Sequence, residues 1–199
     1  MTKRKTGAEE ITIKIAIIGQ PLSGKKNIIR QVAAQYGQSA LKSQMVSGAD
    51  IVRAEFIWPE PVSGGPFIRV RIFALIGEPF HQAAEQLLLS GCDALVFVVN
   101  CNPSKISESR SALVNLMANA DLAGLDWGAT TMVLQYNNAE TYANINPEEL
   151  DAWLGVNTDQ VQRYLSHSNK KEELGVAVDA AIRGVISGLS EQAASDALT

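Results

Sequence analysis

The sequence is short of several things, and each shortage narrows what the protein does. It has two cysteines and two histidines among 199 residues. Cys92 and Cys101 both sit in or beside an apolar stretch that reads as a core strand. A reducing compartment suits such thiols better than the disulfide framework of a small secreted domain. His81 and His167 stand far apart with no metal-ligand spacing, so surface histidines are expected rather than zinc ligands. No nucleophile elbow and no Cys–His arrangement is evident. Basic charge is also scarce: 17 Lys and Arg against 21 Asp and Glu give a net charge of −4. Only Lys3-Arg4-Lys5 clusters, and it reads as a solvated terminus. Broad nucleic-acid binding, which needs a basic face, is therefore not expected. No apolar run is long enough to span a bilayer. The first, Ile11 to Ile18, is interrupted by Lys14 and followed by a glycine loop rather than a cleavage site. Neither a leader peptide nor integral membrane association is expected, and the expected location is the cytoplasm.

What is present is enough apolar sequence for one core. Hydrophobic residues make up 46% and charged residues 19%, which suits a folded domain with loose ends. Residues 1–10 are expected to form a flexible tail, 11–189 one domain, and 190–199 a frayed tail. Ile11 to Ile18 is β-branched and nearly continuously apolar, as in a strand buried on both faces. Gly19 to Gly24 breaks that pattern, and a helix is expected from Lys25 with Ile28 or Ile29, Val32 and Tyr36 inward. Gln38 to Gly48 is polar and weakly patterned, and reads as a loop. Ile51 to Trp58 and Phe67 to Leu75 read as an antiparallel hairpin around Ser63-Gly64-Gly65-Pro66. Pro79 is placed to open a helix and Gly91 to close it. Asp93 to Val99 and Thr130 to Tyr136 are further strands, and Val161 to Leu165 is a short one. Helices are expected within Pro103 to Ala120, from Pro147, and from Lys170 to Leu189. The alternation predicts an α/β protein with a mostly parallel six-stranded sheet, one strand antiparallel, and helices on both faces. A ligand site in such a sheet lies at the carboxyl ends of its strands, here the loops after Ile18, Leu75, Asn100 and Tyr136.

Gly19-Gln-Pro-Leu-Ser23-Gly24-Lys25-Lys26 matches G-x-x-x-x-G-K and departs from the pattern at its last position, where Ser or Thr is expected. The glycines let backbone N–H groups turn toward phosphate oxygens, the helix start adds positive potential, and Lys25 bridges the terminal phosphates. Lys26 replaces the hydroxyl that would ligate magnesium, and an ammonium has no lone pair to give a metal. Two roles are open to it: a fixed cation in the metal's place, or a side chain turned to solvent.

This order of elements, with the segments Ile15 to Lys25, Leu87 to Val99, Val133 to Asn137 and Asn146-Pro-Glu-Glu-Leu150, resembles the Ras-like small GTPases. Among them it is most similar to the bacterial MglA type, which acts in cell polarity and gliding motility. The resemblance covers roughly residues 11 to 189 and implies a P-loop fold that binds GTP or GDP. Carried over, the nucleotide-binding positions are Gly19, Ser23, Gly24, Lys25, Lys26, Gly77, Asn137 and Glu140. Glu78 stands where a Gln would orient the attacking water, and it adds like charge beside a γ-phosphate. Ala74 stands where most Ras-like proteins keep a magnesium-serving Asp, a residue that MglA-type proteins also lack, so this gap alone does not decide the point. No Thr occurs between Gly19 and Trp58; Ser39, Ser43 and Ser47 are the available surrogates, and Arg53 the available cation. Asn137-Asn138-Ala139-Glu140 replaces Asn-Lys-x-Asp, and the final base loop falls near Ser166-His167-Ser168. Trp58, Trp127 and Trp153 read as core or rim residues.

With no catalytic residue and no metal ligand assigned, the expectation is a pseudo-GTPase: an interaction module with weak or no nucleotide binding. The alternative is a slow GTP- or ATP-hydrolysing enzyme with atypical magnesium chemistry. The resemblance implies a protein partner, a Roadblock-type regulator being one candidate.

Overall fold

The computed structural model describes residues 10–38, 41–59, 66–77, 82–141, 146–156 and 161–196. Its strands are β1 (Glu10–Ile18), β2 (Lys42–Val46), β3 (Ala49–Ile57), β4 (Phe67–Ile76), β5 (Ala94–Asn100), β6 (Thr131–Asn137) and β7 (Gln162–Leu165). The helices are α1 (Lys25–Gln35), α2 (Gln82–Leu89), α3 (Ile106–Leu122), α4 (Pro147–Leu154), α5 (Lys171–Leu174) and α6 (Val176–Asp196). Among the described residues the strands form one sheet in the order β2-β3-β4-β1-β5-β6-β7. β3 is antiparallel to both neighbours, and every other pairing is parallel.

Period-two alternation decides the two faces. Ile13, Ile15 and Ile17 of β1 pack with Ile28, Ile29 and Val32 of α1 and with Val178 and Ile182 of α6. Ala16 and Ile18 face the opposite way, toward Leu88 and Leu89 of α2, Leu113 and Leu116 of α3, and Leu150 and Leu154 of α4. β5 is buried at every position, as a central parallel strand covered on both sides must be.

The sheet has seven strands rather than the expected six. The additional one, β2, lies in the segment read as a loop. Lys42 to Met45 are all exposed, so no buried alternation marks them. What makes this strand is its turn: Ser47 and Gly48 have φ of 48° and 83°, a two-residue hairpin of the primed type between the paired residues Val46 and Ala49. The last helix is also two pieces rather than one. It breaks at Gly175, where an added Cβ would lie 3.0 Å from Gln35 Oε1 and 3.5 Å from Val32 Cγ2 of α1. α6 then runs to Asp196 instead of ending near Leu189, through the helix-favouring stretch Glu191 to Ala194. The Ser63-Gly64-Gly65 turn, Glu78, Pro79 and His81 lie outside the described residues.

Polar ties fix the ends of elements. Gly91 (φ 63°) follows α2, and Lys14 Nζ caps that helix by donating to Ser90 O (2.5 Å) and Leu87 O (3.4 Å). Asn146 accepts from Glu148 N at 3.0 Å to start α4. Buried Tyr136 donates its hydroxyl to Asp151 of α4, which also receives Arg163 of β7. Among the described residues, no helix is long and apolar enough to cross a membrane.

Candidate nucleotide site

The carboxyl ends of β1, β4, β5 and β6 meet at one edge of the sheet, and the loop from Gly19 to Gly24 lies among them. Its conformation depends on residues without a Cβ. An added Cβ on Gly19 (φ 153°) would stand 2.2 Å from Val98 O, and on Gly24 (φ 98°) 2.0 Å from Asn137 Nδ2. Leu22 between them takes a left-handed φ of 59° and is 82% exposed.

Lys25 is the first residue of α1 and is 5% exposed. Its ammonium turns back into the loop, donating to Gly19 O (2.7 Å) and Gln20 O (2.6 Å). Burial lowers its pKa to about 8, with Glu85 pulling the other way. As the opening turn of a helix, Lys25 and Lys26 have backbone N–H groups with no carbonyl partner within the helix. These groups and the ammonium are the chemistry that receives phosphate oxygens. The cradle fits a phosphate.

Four side chains hold the loop in this shape. Buried Asn137 donates to Ser23 O (2.7 Å) and accepts from Ser166 Oγ (3.0 Å), joining the loop to β6 and the segment after β7. Asn100, at the end of β5, donates to Leu22 O at 3.1 Å and accepts from Asn138 Nδ2 at 3.1 Å. Buried Gln20 donates to Lys105 O at 2.8 Å and accepts from Ser109 of α3. Sequence reasoning finds Asn137 but not Asn100, Gln20 or Ser109. The available signal for Asn100 is a lone amide ending an otherwise wholly apolar strand.

The segments expected to face the base also come together. Glu140 lies in a one-turn 3-10 helix, Ala139–Thr141. Its carboxylate receives Ser168 N (3.1 and 3.3 Å) and the Ser168 hydroxyl. Burial works to raise its pKa, and the Ser168 bonds outweigh it and leave the group below the usual carboxylate range. Ala139 N donates to Ser166 O at 3.1 Å. The segment 166–168 is thus next to Asn137 and Glu140, where the base loop is expected. Asn138 (φ 60°) directs its amide to Asn100.

No protein-family model matches the chain. It is similar to the mutual gliding-motility protein MglA of Myxococcus xanthus (strain DK1622), with 26% identity over 177 residues, 85% of this chain and 84% of that protein. The fold and this similarity resemble those of the Ras-like small GTPases of the MglA type.

The residues expected on the phosphate side and those expected on the metal side behave differently. Lys26 is exposed, and its ammonium has no ionic or hydrogen-bonded partner among the described residues. Ala74 is fully buried within the apolar layer that packs on α1. Ser43 gives its hydroxyl to Asp50 inside the β2–β3 hairpin, and Ser47 forms the hairpin turn. Arg53 projects from the middle of β3, opposite Phe73 of β4. Gly77 (φ 120°) follows β4 at the site edge, with nothing within 4 Å of where a Cβ would be. Glu78 and Ser39 lie outside the described residues. Among the described residues, the donor set around Lys26 and Ala74 does not fit a magnesium ion, which needs small oxygen ligands in octahedral array.

Proposed function

We propose that this MglA-type chain is a pseudo-GTPase. On this reading it is a cytoplasmic regulatory module that keeps the small-GTPase fold and phosphate cradle and works through protein contacts. Magnesium-dependent hydrolysis has been lost. One observation carries this. The cradle of Gly19, Gly24 and Lys25 is held by buried ties, while the adjoining metal position carries the exposed cation Lys26. Phosphoryl transfer depends on neutralising charge at the terminal phosphate. A lysine at that place supplies a single charge and no coordination. Guanine selection is weakened in the same way, because Asn138 is short and faces Asn100, and Glu140 is engaged by Ser168. The relative's name places it in gliding motility, and a polarity or motility setting, with a Roadblock-type regulator as candidate partner, is the corresponding reading here. The ordered base loop supports a second reading, a slow hydrolase with atypical ligation.

Calorimetry of GTP, GDP and ATP with the full chain, with and without magnesium, separates the two. The expected result is weak binding that magnesium does not improve, and no turnover. Micromolar, magnesium-dependent GTP binding with turnover would sink the proposal. Lys26→Thr combined with Asn138→Lys is expected to improve GTP binding and make it magnesium-sensitive.

A further inference from the structure

Away from the candidate nucleotide site, no described residue covers the face of the sheet that carries α2 beyond β4. A cavity of about 620 Å³ lies there, floored by Val46, Ile51, Phe73 and Leu88, with Lys42 and Arg53 on its exposed side. Lys42 and Arg53 are direct cross-strand partners on β2 and β3, so both project onto this one face. Like charges directly opposite on a sheet destabilise it. Neither has an ion-pair partner among the described residues, and no carboxylate lines the cavity. The nearest acid on the same face of β3, Glu55, is taken by Arg69 and Arg71 at 2.9 Å each. Lys14 adds a third positive charge at the inner wall, although its ammonium is engaged by the end of α2. The chain as a whole is acidic, so this concentration of cations is local.

We propose that this groove receives a segment of a partner protein in which carboxylates alternate with aliphatic or aromatic side chains. The carboxylates meet Lys42 and Arg53, and the apolar groups cover the floor. An isolated small anion would answer the charge and leave the floor wet. The size is within the range of built ligand sites, and its mixed apolar and cationic lining suits alternating side chains. The proposal supplies partner chemistry for the protein-contact reading above and rests on it, but it is independent of what the nucleotide site binds.

The test uses the full chain and a fluorescent, capped peptide of about twelve residues alternating Leu and Glu. Polarisation is expected to show saturable binding, reduced at least about tenfold by Lys42→Glu with Arg53→Glu. That double variant keeps like charges opposed, so its melting temperature is expected to stay with the wild type. It is also expected to bind the corresponding Leu–Lys peptide, which shows that it is folded and that the charge is read at this place. The Leu–Gln peptide is expected to bind more weakly than Leu–Glu. The proposal is overturned by no binding at about 1 mM, which corresponds to an interaction weaker than about 4 kcal/mol. It is overturned equally by the same loss in Lys171→Glu on the opposite side of the sheet, or by undiminished binding of Leu–Gln. Such a failure leaves the nucleotide reading standing, whereas magnesium-dependent turnover would remove that reading and leave the groove intact.

Discussion

At the scale of single residues, Lys25 shows what a buried cation costs. Its ammonium is desolvated, and its pKa is lowered from 10.5 to about 8. The unfolded chain therefore binds more protons than the native one between about pH 8 and pH 10.5, and stability contributed by this group rises with pH across that window. Below it both states are protonated and the burial cost is constant. Denaturant unfolding of wild type and Lys25→Met should diverge in that window. The wild type is expected to gain roughly 3 kcal/mol relative to the variant by its upper end. A saturating phosphate ligand should flatten the difference by stabilising the ammonium. The residues of this cradle were legible in the sequence because glycine spacing and a lysine have one mechanical reading between a strand and a helix. Asn100 and Gln20 were not, because an amide at a strand end acquires its role only when another loop arrives beside it.

Among the elements, β2 is the informative one. Its register sets Lys42 against Arg53, a local conflict that costs stability and that the fold alone does not require. Lys42→Glu converts it into an opposite-charge pair and is expected to stabilise the protein by about 0.2–1 kcal/mol, measured by denaturant midpoint at low salt and diminishing at high salt. An unchanged or lowered midpoint would show that the two cations do not repel in the folded state. The strands with buried faces could be placed within a residue or two from sequence, since burial writes itself as β-branched runs. β2 has no buried run, and its evidence is a Ser-Gly turn whose significance depends on a neighbour to pair with. The break at Gly175 was likewise hidden, because its cause is the close approach of α1 rather than anything within the last helix.

For the whole molecule, the order of elements was readable, and with it the edge of the sheet where the glycine loop lies. The hairpin before the central strands separates this architecture from other phosphate-loop folds, and the structure places β3 alone against the direction of the rest. The open groove was not legible, because its walls come from β2, β3, β4 and α2, and no single stretch of sequence contains a cavity.

The two thiols report on the molecule in another way. Cys92 is 6% exposed and Cys101 1%, and burial pushes both pKa values up to about 12. At neutral pH neither is a thiolate in the closed protein, so an alkylating reagent reaches them only through opening. Cys92 leads into the central strand β5, whereas Cys101 sits where that strand meets the nucleotide edge. Labelling rates resolved by mass spectrometry would therefore time two different motions, and slowing of Cys101 alone on adding a nucleotide would register its binding without any turnover.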